Sequence, residues 1–389
     1  MTARRLVCQG LAALAATGLS GAALAQADTV KIGVLLPMTG PQASTGRQID
    51  AAIKLWVAQN GRKAGGKTVE VIVKDDGGVA DTSRRLAQEL VVNDKVVALA
   101  GFGLTPIALA TAPIATQSKT PMVVMAAATS SITEASPYIV RTSFTLPQAA
   151  VGLAEWAAKN KIRKVVTLVA DYGPGNDAEK FFADRFLLNG GNVAEKLRTP
   201  LRSPDFAPVL QKVRDAAPDA LFVFLPSGQG AQFMKQFSER GLAKAGVRLI
   251  ATGDVTDDDQ LNDMGDVALG VVNSHHYSAA HPSAANRKYV EAFQAANKFR
   301  PNFMSVGGYD GMRVIYNALN ATKGAGGEAL LNAMKGQIFE SPRGPVLVDA
   351  QTRDIVQDIY IRKVERIDGQ LWNVEFDVVK DVKDPGKAK

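Results

Sequence analysis

The chain has 389 residues, 46% hydrophobic and 21% charged, with 45 Lys and Arg against 38 Asp and Glu and a formal charge of +7. Its one cysteine, Cys8, lies in a segment that reads as an export leader, so the mature chain lacks the means for a disulfide, a thiolate zinc site or a cysteine nucleophile. The most basic stretch, KNKIRK at 159–164, has no interleaved aromatic residues; it reads as a solvated helix end and argues against a nucleic-acid partner.

In chain order the leader comes first, at 1–27. Arg4 and Arg5 give a basic start, Leu11 to Leu24 is a small-residue apolar stretch without charge, and Ala23-Leu24-Ala25 or Ala25-Gln26-Ala27 offers a small-x-small cleavage site near Ala25 or Ala27. The apolar part is shorter than the roughly 20 residues that cross a bilayer, so the reading is a cleaved signal peptide and a periplasmic product.

From Val30 onward, short apolar runs alternate with segments of helical period. VKIGVLL (30–36) is a strand, about 42–60 a helix, TVEVIVKDD (68–76) a strand, 83–92 a helix, VVALA (96–100) a strand, about 106–117 a helix and PMVVMA (121–126) a strand. The string GRKAGGKT (61–68) matches the P-loop pattern letter for letter, yet it runs from helix to strand, the reverse of a phosphate-binding loop. It reads as turn chemistry, with Gly61 ending a helix.

A second series follows Pro147: helix 148–159, strand 165–170, helix 177–188, strand 192–197, helix 206–216, strand 221–225, helix 230–240 and strand 247–252. Helices at 289–297 and 305–321 come next, and 354–379 reads as a hairpin around Asp368-Gly369. The fold class is therefore α/β, with two doubly wound parallel sheets, and the loops leaving strand carboxyl ends are the places for a ligand. Those loops are rich in Gly, Ser and Thr, which suits holding a small carboxylate by N–H and hydroxyl groups without an arginine.

Motifs for catalysis do not assemble. GFGLTP (101–106) has Pro106 where a dinucleotide fingerprint needs a third glycine, and Ser227 sits in P-S-G rather than a nucleophile elbow. The three histidines, His275, His276 and His281, read as a polar interdomain segment, since adjacent side chains in a strand point to opposite faces. Asp257-Asp258-Asp259 reads as a solvated helix start. No cofactor and no metal is expected, and the chain reads as a monomeric binder.

KIGVLLPMTGPQASTG, PMVVMAAATSSIT, YIVRTSF, DYGPG and GYDGMRVIYNAL together resemble the type I periplasmic solute-binding proteins of ABC importers, specifically the leucine/isoleucine/valine-binding branch. The resemblance implies two lobes joined by three crossover strands that close on a ligand: a signal peptide at 1–27, lobe one at 28–144 plus 278–340, and lobe two at 145–277 plus 341–389. It also implies partners, a membrane permease and an ATPase.

For the site, the resemblance points to Thr105, Ala127, Ala128 and Thr129 on the ligand carboxylate, with Thr45, Phe102 and Gly103 beside them. It also implies that Tyr172 forms an aromatic wall and that Asp254 meets an ammonium group. A second aromatic expected in lobe two is replaced by Leu225-Pro226-Ser227, which brings Pro226 and Ser227 into the set. The implied ligand is a branched-chain amino acid or similar small carboxylate. AATSSIT, YIVRTSF, DYGPG and FLPSG also look similar to a sub-branch that captures aromatic carboxylates such as hydroxybenzoates, where Asp254 would accept from a ring hydroxyl or simply cap a helix. A sensory protein presenting its closed state to a receptor or repressor is the alternative of another class.

Overall fold

The structure, a computed structural model, describes residues 29–387. The leader read at 1–27 lies outside the described residues. β1 (Thr29–Leu36) is buried on both faces for most of its length, as a central parallel strand must be. α1 (Ala43–Asn60), β2 (Lys63–Ala64), β3 (Lys67–Asp75), α2 (Ala80–Val92), β4 (Ala98–Gly101), α3 (Thr105–Ser118), β5 (Met122–Val124) and β6 (Ile139–Arg141) complete the first sheet and its covering helices.

GRKAGGKT is a helix stop and a tight hairpin. Gly61 caps α1 with φ +76, Gly65 and Gly66 turn β2 into β3 with φ +60 and +77, and a Cβ on Gly65 would run into backbone near Leu319 and Gly324. The strand order is β2-β3-β1-β4-β5-β6, with β1 parallel to both β3 and β4. The order therefore reverses direction between β1 and β4, and the crevice beyond their carboxyl ends opens there.

The second layer repeats the plan. α4 (Leu146–Lys159), β7 (Lys164–Ala170), α5 (Gly173–Leu188), β8 (Asn192–Thr199), α6 (Ala207–Ala216), β9 (Ala220–Phe224), α7 (Gly230–Glu239), β10 (Arg248–Thr252), α8 (Leu261–Met264) and β11 (Val272–His275) run in sequence. Its parallel part has the order β11-β10-β9-β7-β8, so its own reversal falls between β7 and β9. α9 (Ala284–Asn297), α10 (Phe303–Thr322) and α11 (Gly327–Met334) return to the first layer, where α10 lies along α1.

The chain then crosses again into β12 (Ile338–Ser341), β13 (Gly344–Val348), β14 (Ile355–Ile367) and β15 (Gln370–Val382), all antiparallel additions to the second sheet. Asp368 and Gly369, with φ +49 and +78, form the two-residue turn that pairs β14 with β15. β6, α11 and the β12–β13 hairpin are absent from the sequence reading. A three-residue buried strand carries too little periodicity to be recognised. Among the described residues no helix is long and apolar enough to cross a membrane.

Candidate ligand-binding cleft

The two reversal points face each other. A pocket between the layers is lined by Gln42, Thr45, Gly103 and Thr105 from the loops after β1 and β4, and by Tyr172, Pro174, Phe224, Pro226 and Ser227 from the loops after β7 and β9. It encloses about 360 Å³ of empty space, counting its mouth.

Local backbone prepares the first wall. Gly101 turns with φ +104, where a Cβ would strike the Leu35 carbonyl, and Phe102 follows at φ +68, so the chain reverses sharply into α3. α1, α3 and α5 each begin at the pocket, and none has a side-chain cap on its first turn. The positive ends of their dipoles therefore lie at the cleft without a side-chain cap, an arrangement suited to an anion. α4 differs: Thr145 and Gln148 form a capping box that closes its N-terminus.

The pocket gathers Thr45, Gly103, Thr105, Ala127, Ala128, Tyr172, Pro226, Ser227 and Asp254 of the residues singled out in the sequence. Thr129 stands behind Thr105, their hydroxyl oxygens 2.8 Å apart. Phe102 is fully buried outside the lining, and its N–H donates to Leu35 O at 2.9 Å. The Ala127 N–H donates to Phe102 O at 3.0 Å, so Ala127 offers the pocket its side-chain face rather than a free donor.

The sequence reading missed the apolar half of the wall, formed by Phe144, Leu146, Phe224 and Met304. Phe224 stacks on Tyr172 with ring centroids 6.0 Å apart, and supplies the aromatic that Leu225-Pro226-Ser227 was taken to lack. Burial, aided by Asp254, pushes the Tyr172 hydroxyl far above its ordinary range, so it stays protonated. Asp254 is the one charged side chain in the lining; it is 4% exposed and its Oδ2 has no hydrogen-bond partner.

Two expectations fail in instructive ways. Asp257 and Asp258 are buried and Asp259 is half-buried, its carboxylate paired rather than solvated. Ser227 donates to Asp257, Asn302 Nδ2 donates to Asp257 Oδ1 at 2.8 Å, and Asn373 Nδ2 donates to Asp258 Oδ1 at 3.2 Å. Asp259 Oδ2 accepts from Ser44 Oγ at 2.5 Å and pairs with Arg47 at 2.6 Å. Adjacent His275 and His276 do not point apart either: β11 ends at His275, alternation ends with it, and their Nδ1 atoms lie 2.7 Å apart. Both rings are fully buried, while His281 pairs with Glu375 at 2.8 Å.

A family model described as periplasmic binding protein matches residues 29–370. The chain belongs to the periplasmic binding protein family. Its relatives include Leu/Ile/Val-binding protein homolog 6 of Brucella abortus (strain 2308), 44% identical over 97% of this chain and 98% of that one. Among solved structures it is similar to a solute-binding protein of an ABC transporter from Rhodopseudomonas palustris BisB5 in complex with 3,4-dihydroxybenzoic acid. That pair shares 59% identity and a TM-score of 0.91 over 93% of this chain and 100% of that one. A second, from R. palustris HaA2 in complex with p-hydroxybenzoic acid, shares 42% identity and a TM-score of 0.90 over 92% and 99%.

Proposed function

We propose that the chain is the exported solute receptor of an ABC importer and that it captures a small aromatic carboxylate bearing a ring hydroxyl. One observation carries the reading: uncapped helix N-termini gather at a cleft walled by Phe144, Tyr172 and Phe224, with Asp254 as its one charged lining residue. A carboxylate fits the helix ends, a ring fits the flat walls, and a hydroxyl donor fits Asp254. The relatives crystallised with 3,4-dihydroxybenzoic acid and p-hydroxybenzoic acid support the same class.

In this reading lobe one is 28–144 plus 278–340 and lobe two is 145–277 plus 341–389. Thr45, Thr105, Ala128 and Thr129 serve the carboxylate end, and Tyr172, Pro226 and Asp254 serve the ring and its hydroxyl. A cleaved leader at 1–27 delivers the monomer to the periplasm, where a permease and its ATPase receive the ligand.

The test is isothermal titration of the mature protein with benzoate, 4-hydroxybenzoate, 3,4-dihydroxybenzoate and leucine. A specific aromatic ligand at 100 times its dissociation constant adds about 2.7 kcal/mol to stability and is read independently by thermal unfolding. Heat from leucine with none from the aromatic acids would reject the proposal.

A further inference from the structure

His275 stands beside Asp254 and has no part in the reading above. Asp254 lines the pocket with Oδ2 unpartnered, and His275 Nε2, also unpartnered and fully buried, lies 3.5 Å from that oxygen. Gly253 makes the approach possible, since a Cβ there would collide with the His275 ring and with Arg362. The His275 ring is held between Phe144 and Phe303, with centroids 4.4 and 4.1 Å away, and Phe144 is itself a pocket wall.

Hydrogen bonding selects the tautomer. The backbone N–H of His276 donates to His275 Nδ1 at 3.0 Å, and His276 Nδ1 lies 2.7 Å from the same atom. Nδ1 of His275 is therefore an acceptor, and a neutral ring carries its proton on Nε2, aimed at Asp254. Burial holds the ring neutral by pushing its pKa down to about 4.

We infer that His275 is a positioning residue for ligand selectivity: its Nε2–H orients the Asp254 carboxylate so that Asp254 accepts the hydroxyl of a para-hydroxylated benzoate. This rests on the aromatic-carboxylate reading above. The carboxylate sits at the helix ends of lobe one and Asp254 belongs to lobe two, so the hydroxyl it reads is on the far side of the ring.

The experiment is the ratio of dissociation constants for benzoate and 4-hydroxybenzoate in the wild type, Asp254→Asn, His275→Phe and His275→Gln. A hydrogen bond to a charged group predicts a wild-type preference for 4-hydroxybenzoate of about 10-fold or more. His275→Phe keeps benzoate binding within about 2-fold and brings the ratio close to that of Asp254→Asn, whereas His275→Gln, which retains an N–H donor, restores part of it. Equal weakening of both ligands in His275→Phe and His275→Gln would make His275 a packing residue and overturn the inference. A wild type that binds both benzoates equally would overturn it while leaving the aromatic-carboxylate reading intact, and a wild type that binds neither benzoate would remove that reading itself.

Discussion

Asn302 reaches across the cleft to Asp257, its Nδ2 lying 2.8 Å from Oδ1 and 3.1 Å from Oδ2, while its own Oδ1 accepts from the N–H groups of Met304 and Ser305. One side chain thus caps α10 and clasps the segment that follows β10. Ser44 and Arg47 on Asp259 make a second clasp beside it. If the proposed lobes separate when ligand leaves, these bonds break with them and contribute to ligand affinity rather than to the stability of either lobe.

Asn302→Ala removes cap and clasp together and lowers stability by about 1–3 kcal/mol in urea unfolding. Asn302→Ser keeps the cap alone. It retains most of the ligand-free stability and weakens ligand binding by about 10-fold, as titration calorimetry will read. Equal affinity in wild type and Asn302→Ser would mean that the clasp forms without contributing to closure.

Gly173, at the first turn of α5, faces lobe one directly: a Cβ there would sit 2.7 Å from Thr129 Oγ1 and 3.4 Å from Thr105 Cγ2. Gly173→Ala should leave the ligand-free melting temperature close to that of the wild type, because separated lobes do not bring these atoms together. Ligand affinity should fall by about 10-fold or more, since closure must push Thr129 off its bond to Thr105. Unchanged affinity would show that the lobes adjust around the added methyl.

How far the sequence foretold these contacts depends on how local each signal is. β1, α1 and the β14–β15 hairpin were legible because periodicity and the Asp368-Gly369 turn are written within a few residues. The loops that hold Tyr172 and Asp254 were reachable because they leave strand ends, and the family resemblance singled out the two residues. The aspartate clasps were not, since Ser44 and Asp259 lie 215 positions apart and nothing near Asp259 announces its partner. Phe224 was missed because which way the last residue of a strand points is set by packing, not by spacing.

Arg343, in the turn between β12 and β13, ties α10 to the segment after β6 and to β14. It is fully buried, pairs with Asp310 at 2.7 Å and donates to Ser143 O at 2.9 Å and Gln357 Oε1 at 2.8 Å. Arg343→Met leaves the Asp310 carboxylate buried with only Ser341 as donor and costs about 3–5 kcal/mol. Adding Asp310→Leu should recover much of that loss, because an unpaired buried charge costs more than a missing pair. Urea denaturation of the two variants distinguishes the cases, and no recovery in the double variant would assign the loss to the carbonyl bonds instead.

Two buried groups oppose each other in pH dependence. Burial, with Asp259 adding to it, pushes Asp257 up to about 7 from the ordinary 3.8, while burial pushes His275 down to about 4 from 6.5. The folded, closed protein therefore binds more protons at Asp257 than the unfolded chain between about pH 4 and 7, and that contribution to stability is lost as pH rises through about 7. At His275 the unfolded chain binds more, so that contribution is full above 6.5 and is lost as pH falls toward 4. The two slopes offset one another in the wild type, and single variants separate them. Relative to wild type, the melting temperature of Asp257→Asn should rise from pH 4 to 7 and level off above, whereas that of His275→Phe should rise as pH falls from 6.5 to 4. Differences that stay flat across pH 4–8 for Asp257→Asn would mean that Asp257 titrates alike in folded and unfolded chains, and that its contacts with Ser227 and Asn302 compensate its burial in full.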